Sequence, residues 1–229
     1  MKVVIFDVDG VIVDVRNSYH CAIKETIKHF TGKDLELSYI REFKFKNGIN
    51  NDWDVTYELI KNLGYNPPDY EKLVEVFESY YDKLKDKEEL ILKPQFFEGL
   101  KKKGVVMGVV TGRPRRDLRY LFDRFNLWGY FDAIVDEDEV SDPNLRKPHP
   151  YPLHLCMEML EAEEGLYIGD NNADWEMVYS YRKMYGKHVK FIHFKRVFRE
   201  EIPSDFSTDD EEELKEFILR EVSQTRAKV

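Results

Sequence analysis

The chain has 229 residues, 42% hydrophobic and 34% charged, with a formal net charge of −9 and a pI near 5.3. That length allows one large domain or a core with a smaller insert, and the apolar share suffices for a packed core. The acidic balance argues against nonspecific binding to nucleic acid or anionic membranes, although a local positive site for an anionic substrate is compatible with it.

Residues 2–7 read as a buried strand, in which Val3-Val4-Ile5-Phe6 runs into Asp7-Val8-Asp9-Gly10 and a turn over 8–15. A helix capped by Asn17 or Ser18 is expected through Phe30, with Ala22, Ile23, Ile27 and Phe30 on its apolar side and Thr31-Gly32 as its stop. Residues 35–51 are polar and aromatic and close on Asn47-Gly48-Ile49-Asn50-Asn51. Asp52 or Asp54 starts another helix with Trp53, Tyr57, Ile60 and Leu63 on one face. After the loop Asn66-Pro67-Pro68-Asp69, residues 71–85 carry Leu73, Val74, Val76, Phe77, Tyr80, Tyr81 and Leu84 at helical spacing. The block 17–88 is thus helical and lacks a strand pattern.

The pattern then changes. A short helix over 95–102 precedes a second buried strand, Val105–Val110, which ends in Thr111-Gly112-Arg113-Pro114. Pro114 suits the first turn of a helix through Phe125. Asp132–Val135 is a third strand, followed by an acidic run over 136–139. A loop over 142–150 contains Lys147-Pro148-His149-Pro150 and leads to a helix over 151–162. Leu166-Tyr167-Ile168 is a fourth strand, ending in Gly169-Asp170-Asn171-Asn172-Ala173-Asp174 and a helix through Tyr185. Val189–His193 is a fifth, and an amphipathic helix with Leu214, Phe217, Ile218 and Val222 follows.

Alternating strands and helices predict an α/β fold, a Rossmann-like core with a mostly parallel sheet flanked by helices. The core is expected over 1–15 and 89–229, with 16–88 inserted as a small α-helical domain. Cys21 and Cys156 sit in apolar helical patterns and read as buried thiols rather than as a metal or redox site. No apolar run reaches the ~18 residues of a membrane span, and no basic-then-apolar leader precedes the first strand. A cytoplasmic location is expected.

Ligands of open α/β sheets bind outside the carboxyl ends of the strands. There the chain places Asp7 and Asp9, Thr111, Gly112 and Arg113, Lys147, and Gly169, Asp170 and Asp174. Asp7 and Asp9, two residues apart, repel each other unless a cation or a proton intervenes. Gly10 permits a tight turn and close approach of a ligand to the backbone. Phosphoryl transfer through an aspartyl phosphate needs such a set. A carboxylate attacks phosphorus, and Mg²⁺ takes carboxylate and phosphate oxygens. Fixed donors such as the Thr111 hydroxyl, the Gly112 amide and the Lys147 ammonium meet the phosphoryl charge. A second acid, here Asp9, moves protons.

Asp7-Val8-Asp9-Gly10, Val109-Val110-Thr111-Gly112, Lys147-Pro148 and the Gly169–Asp174 run together resemble the four motifs of the haloacid dehalogenase superfamily, in order and spacing. The helical insert resembles the small (C1-type) cap of the subfamily I members that include phosphoglycolate phosphatases and β-phosphoglucomutase. The resemblance implies Asp7 as nucleophile, Asp9 as general acid/base, Thr111 as the phosphate-binding hydroxyl and Lys147 as the neutralising lysine. It implies Mg²⁺ on Asp7, Asp170 and the backbone carbonyl of Asp9, with Asp174 supporting the metal shell or Lys147. It also implies a cap that closes over the site and supplies specificity. An Asp at position 9 resembles the phosphatases and phosphomutases rather than the dehalogenases or transport ATPases.

Arg113, Arg115 and Arg116 depart from the commonest second motif. They could meet a second anionic group of the substrate, although a solvated helix start is the plainer reading. Asn51, beside Trp53, is either a substrate contact or a helix cap. His149 reads as structural, and Asp14 with Arg16 as a surface ion pair. The expectation is a Mg²⁺-dependent phosphatase for a small phosphorylated metabolite, monomeric or homodimeric, without nucleic-acid or membrane partners. Phosphomutase and non-catalytic regulatory readings stand as alternatives.

Overall fold

The structure is a computed structural model that describes residues 1–226, with side chains through Gln224. Its elements in chain order are β1 (Lys2–Phe6), β2 (Val13–Asp14), α1 (Tyr19–Thr31), α2 (Leu37–Asn47), α3 (Asp52–Asn62), α4 (Tyr70–Leu84), β3 (Glu89–Leu90), α5 (Pro94–Lys102), β4 (Met107–Val110), α6 (Arg115–Phe125), β5 (Ala133–Val135), α7 (Tyr151–Met159), β6 (Glu164–Gly169), α8 (Asn172–Tyr185), β7 (His188–Phe194), β8 (Phe206–Thr208) and α9 (Glu211–Arg226). The chain divides into two compact units, Met1–Val13 with Leu90–Val229, and Asp14–Glu89.

The first unit is built on a six-stranded sheet in the order β5-β4-β1-β6-β7-β8, and its strand pairings are all parallel. Parallel strands must be covered on both faces, and the side chains show how. Phe6 of β1 meets the rings of Phe96 and Phe97 of α5 at 6.2 and 5.4 Å, edge to face. Its neighbour in sequence, Ile5, lies opposite Gly108 of β4. A Cβ at Gly108 would crowd Cys156 and Leu160 at 2.9 and 3.1 Å. Alternation along the strand therefore sends Phe6 to the α5 side and Ile5 to the α7 side. The residues of β1 from Val3 to Phe6 are fully buried, which explains their uninterrupted apolar run.

The second unit is helical. Its α1 packs against α2, α3 and α4, and Tyr19 stacks on Tyr81 with centroids 4.4 Å apart. Gly32 ends α1 in a left-handed conformation, φ 72°. Asp14 and Arg16 form the expected ion pair, at 2.6 Å.

Several sequence expectations need correction. Within the expected helical block, residues 35–51 hold α2, whose bounds carried little amphipathic signal because only Ile40 is buried. The buried face of α3 is Val55, Thr56, Leu59 and Ile60, not the line through Trp53, Tyr57 and Leu63. Strand β8 escaped notice because three residues between loops carry no period. The second strand begins at Met107 rather than Val105, and α7 stops at Met159 rather than 162. No helix among the described residues is long and apolar enough to cross a membrane.

Both thiols are free, and Cys21 is only half-buried, contrary to the buried reading. Burial pushes the Cys156 thiol up to about 12, so it stays protonated and inert at neutral pH. A disulfide-exchange reagent at pH 8 should therefore titrate Cys21 in the native protein and Cys156 only after unfolding. Two fast native thiols would contradict this burial.

Candidate functional site

The site grows from the order of the strands. With β1 between β4 and β6, and Phe6 in register with Val109 and Ile168, the residues after these strands emerge side by side. They are Asp7, Thr111 and Asp170. The Asp7 amide donates to the Ile168 carbonyl at 2.9 Å, so Asp7 is still anchored to the sheet where its side chain leaves it.

The chain then turns sharply. The Val8 carbonyl accepts from the amides of Val11, Ile12 and Val13, and Gly10 closes the loop on the Val13 carbonyl at 2.8 Å. Gly10 has φ 79°, and a Cβ there would collide with the Asp170 carboxylate. Glycine is required for both reasons. A Cβ at Gly169 would collide in the same way with the Asp174 carboxylate.

Lys147 is the centre of the charge arrangement. Its Nζ lies 3.1 Å from Asp7 Oδ1 and 2.9 Å from Asp174 Oδ1, with the lysine side chain 1% exposed. Burial alone would lower its pKa, but Asp174 and Asp7 outweigh burial and hold the ammonium above its ordinary value. Asp174 accepts further bonds from the Tyr167 hydroxyl at 3.0 Å and the Asp170 amide at 3.0 Å. Asn171 caps α8 on the Asp174 amide and donates from Nδ2 to Asp170 Oδ1 at 3.0 Å. The apposed aspartates are therefore fixed from several sides.

Asp7 Oδ1 also accepts from the Val8 amide at 2.8 Å. Even so, burial first, and then Asp174, Asp170 and Asp9, push the Asp7 carboxyl well above its usual range, against the opposing pull of Lys147. Three buried carboxylates, Asp7, Asp170 and Asp174, offer ligand oxygens within 4.8 Å of one another. One lysine cannot neutralise all three. An all-oxygen donor set with surplus negative charge fits a hard divalent cation. Since Asp174 is occupied by Lys147, Tyr167 and the Asp170 amide, Asp7 and Asp170 are the better donors.

Thr111, 5% exposed, accepts the Arg113 amide on Oγ1 at 3.0 Å, which leaves the hydroxyl proton to be donated. Arg113 differs from the solvated helix start expected of it. It is buried, and it donates to Asp9 Oδ1 at 2.7 Å. Arg115 and Arg116 are the solvated ones, paired with Asp136 at 2.9 Å and Asp117 at 3.2 Å.

Of the residues singled out from sequence, Asp7, Asp9, Gly10, Thr111, Gly112, Arg113, Lys147, Asp170 and Asp174 gather at the carboxyl ends of β1, β4 and β6 or in the adjoining Lys147 loop. Asn51 belongs to the helical unit, where its Oδ1 caps α3 on the amides of Trp53 and Asp54 at 2.8 and 3.2 Å. His149 accepts the Tyr151 amide on Nδ1 at 3.1 Å, a structural role. Sequence reasoning missed Tyr167, because an aromatic inside a buried strand reads as core. It also missed the Arg113–Asp9 pair, because nothing in a spacing of 104 residues reports a contact.

Metal-free, the site should be self-destabilising. The folded-state pKa of Asp7 lies above its unfolded value. Its stabilising contribution is therefore complete at low pH and is lost as pH rises through the folded-state pKa. At neutral pH and without divalent cation, Asp7→Asn should raise Tm, because the amide carries no charge to be buried beside Asp174 and Asp170. The gap should close toward acid pH, and added Mg²⁺ should stabilise the wild type more than the variant. A lower neutral-pH Tm for Asp7→Asn would contradict this electrostatic picture.

The family model described as haloacid dehalogenase-like hydrolase matches residues 4–179. A phosphoglycolate phosphatase of Aquifex aeolicus is 28% identical over 183 residues, covering 77% of this chain and 79% of the relative. The pyrophosphatase PpaX of Bacillus mycoides is 26% identical over 181 residues, covering 76% of this chain and 77% of the relative. Among solved structures, CbbY from Rhodobacter sphaeroides in complex with phosphate superposes with a TM-score of 0.72 at 18% identity, covering 93% of this chain and 96% of that one.

Proposed function

The chain belongs to the haloacid dehalogenase-like hydrolases, and from that premise we propose that it is a Mg²⁺-dependent phosphatase that hydrolyses a small phosphorylated metabolite through an aspartyl phosphate on Asp7. The observation that carries this reading is the Asp7 carboxylate standing between the strand ends that bear Thr111 and Asp170, with Lys147 at 3.1 Å. Relatives named phosphoglycolate phosphatase and pyrophosphatase support the reaction class.

The chemistry proceeds in two transfers. Asp7 Oδ1 is held by the Val8 amide and Lys147, and Oδ2 makes no hydrogen bond among the described residues. Oδ2 is the oxygen that attacks phosphorus. Its bond to phosphorus forms as the bond to the leaving oxygen breaks, and Asp9 gives that oxygen a proton. The Thr111 hydroxyl, the Gly112 amide and the Lys147 ammonium donate to the phosphoryl oxygens. Water then attacks phosphorus, Asp9 takes its proton, and the acyl phosphate bond breaks to restore Asp7 and release inorganic phosphate. Asp7, Asp170 and the Asp9 carbonyl would hold the Mg²⁺ ion, which when bound offsets negative charge on the phosphate and the carboxylates. Asp174 holds Lys147 in place. The helical unit, residues 14–89, serves as the cap, and a cytoplasmic setting suits such a metabolic enzyme.

Phosphate release from p-nitrophenyl phosphate, 2-phosphoglycolate and pyrophosphate, with Mg²⁺ and with EDTA, tests the reading. Mg²⁺-dependent release from at least one ester is expected, with Asp7→Asn reducing turnover by at least ~10³-fold, a loss in keeping with removal of a nucleophile. Absence of release across a broad ester panel, or near-normal turnover by Asp7→Asn, would overturn it.

A further inference from the structure

A guanidinium seldom sits fully inside a protein, because its charge and its five N–H groups all need partners. Arg113 does so beside the site. It is 1% exposed and heads the fully buried side chains by volume. Its Nε and Nη2 both donate to Oδ1 of Asp9, at 3.1 and 2.7 Å, and Nη1 reaches the Asp117 carbonyl at 3.4 Å. The Arg113 backbone is tied as well. Its amide donates to Thr111 Oγ1 at 3.0 Å, and its carbonyl accepts the Glu137 amide at 3.2 Å. The arginine is thus anchored independently of Asp9, whose side chain is the more exposed partner at 28%.

Two donors that converge on one oxygen differ from the fork-to-fork pair that occupies both oxygens of a carboxylate. Here Oδ1 is held, while Oδ2 makes no hydrogen bond among the described residues. We infer that Arg113 is a positioning residue for Asp9, fixing the carboxylate through Oδ1 so that Oδ2 stays open for proton transfer. Arg113 is accordingly not a contact to the substrate phosphate or to a second anionic group, as its place in the motif first suggested. The inference rests on Asp9 serving as the acid/base of the proposed phosphatase. A lysine at this place would supply a point charge without the fork, and so would define the carboxylate less well.

A double-mutant cycle separates the possibilities. Steady-state kinetics with p-nitrophenyl phosphate and Mg²⁺ would compare wild type, Asp9→Asn, Arg113→Met, Arg113→Lys and Asp9→Asn/Arg113→Met, with thermal melts on each. Its good leaving group keeps slow variants measurable. Arg113→Met should lower kcat by ~10-fold or more, within the range that general acid–base groups contribute, and leave KM within about twofold. Arg113→Lys should retain an intermediate kcat. In the Asp9→Asn background, Arg113→Met should cost less than about twofold more. Losses that multiply, or a rise confined to KM, would make Arg113 an independent substrate contact and overturn the inference while leaving the phosphatase reading intact. An Asp9→Asn enzyme with unchanged kcat would remove Asp9 from the chemistry, and this inference with it. Failure of both Arg113 variants to fold would show a purely structural arginine and would overturn it as well.

Discussion

A buried lysine between two buried aspartates is the constraint from which the rest of the site follows. Lys147 is almost wholly withdrawn from solvent, at hydrogen-bond distance from both Asp7 and Asp174. An ammonium taken out of water is tolerated only with a carboxylate beside it, and Asp174 remains such a partner whether or not Asp7 is charged. The carboxylates in turn need fixed places. Asp7 has its place because β1 lies centrally in the sheet, and Asp174 because Asn171 caps α8 and the Asp170 amide bonds Asp174 Oδ2. A side chain at Gly10 would collide with the Asp170 carboxylate, and one at Gly169 with the Asp174 carboxylate. The glycines are therefore part of the electrostatics, since they allow the backbone to approach charged oxygens closely.

The balance is deliberately incomplete. One lysine offsets part of the charge of Asp7, Asp170 and Asp174, and Asp7 carries the remainder as a raised pKa whose first cause is burial. A carboxylate held in that condition gains from a divalent cation or from an electrophile at its free oxygen. Asp9 stands apart from this group through its own cation, Arg113. Two aspartates separated by one residue thus occupy distinct surroundings, one deep with Lys147 and one half-open with Arg113. Such a division suits one carboxylate to bond formation and the other to proton movement.

How much of this could be read from sequence depends on range. Continuous apolar runs and the turns after them located β1, β4 and β6, because strands buried on both faces leave no alternation to confuse the reading. The placement of Asp7, Thr111 and Asp170 at one end of the sheet followed from those strands and from parallel pairing. Elements with weak amphipathy were illegible. The helix α2 buries only Ile40, and β8 spans three residues. Individual contacts were illegible for another reason. Asn51 as a cap, Arg113 on Asp9, and Tyr167 on Asp174 are each set by tertiary packing, and local pattern carries no information about it. Cys21 was misread because a helical apolar stripe does not show which of its edges remains open to solvent.

The central claim is that Asp7 itself becomes phosphorylated, and direct trapping tests it. Wild type and Asp9→Asn, turning over p-nitrophenyl phosphate with Mg²⁺, would be acid-quenched and treated with borohydride, which reduces an acyl phosphate to an alcohol. Peptide mass spectrometry should find Asp7 converted to homoserine, only with substrate present, and to a greater extent in Asp9→Asn because water attack is slowed. Conversion at another carboxylate, or none at Asp7 in either protein during measurable turnover, would contradict the account.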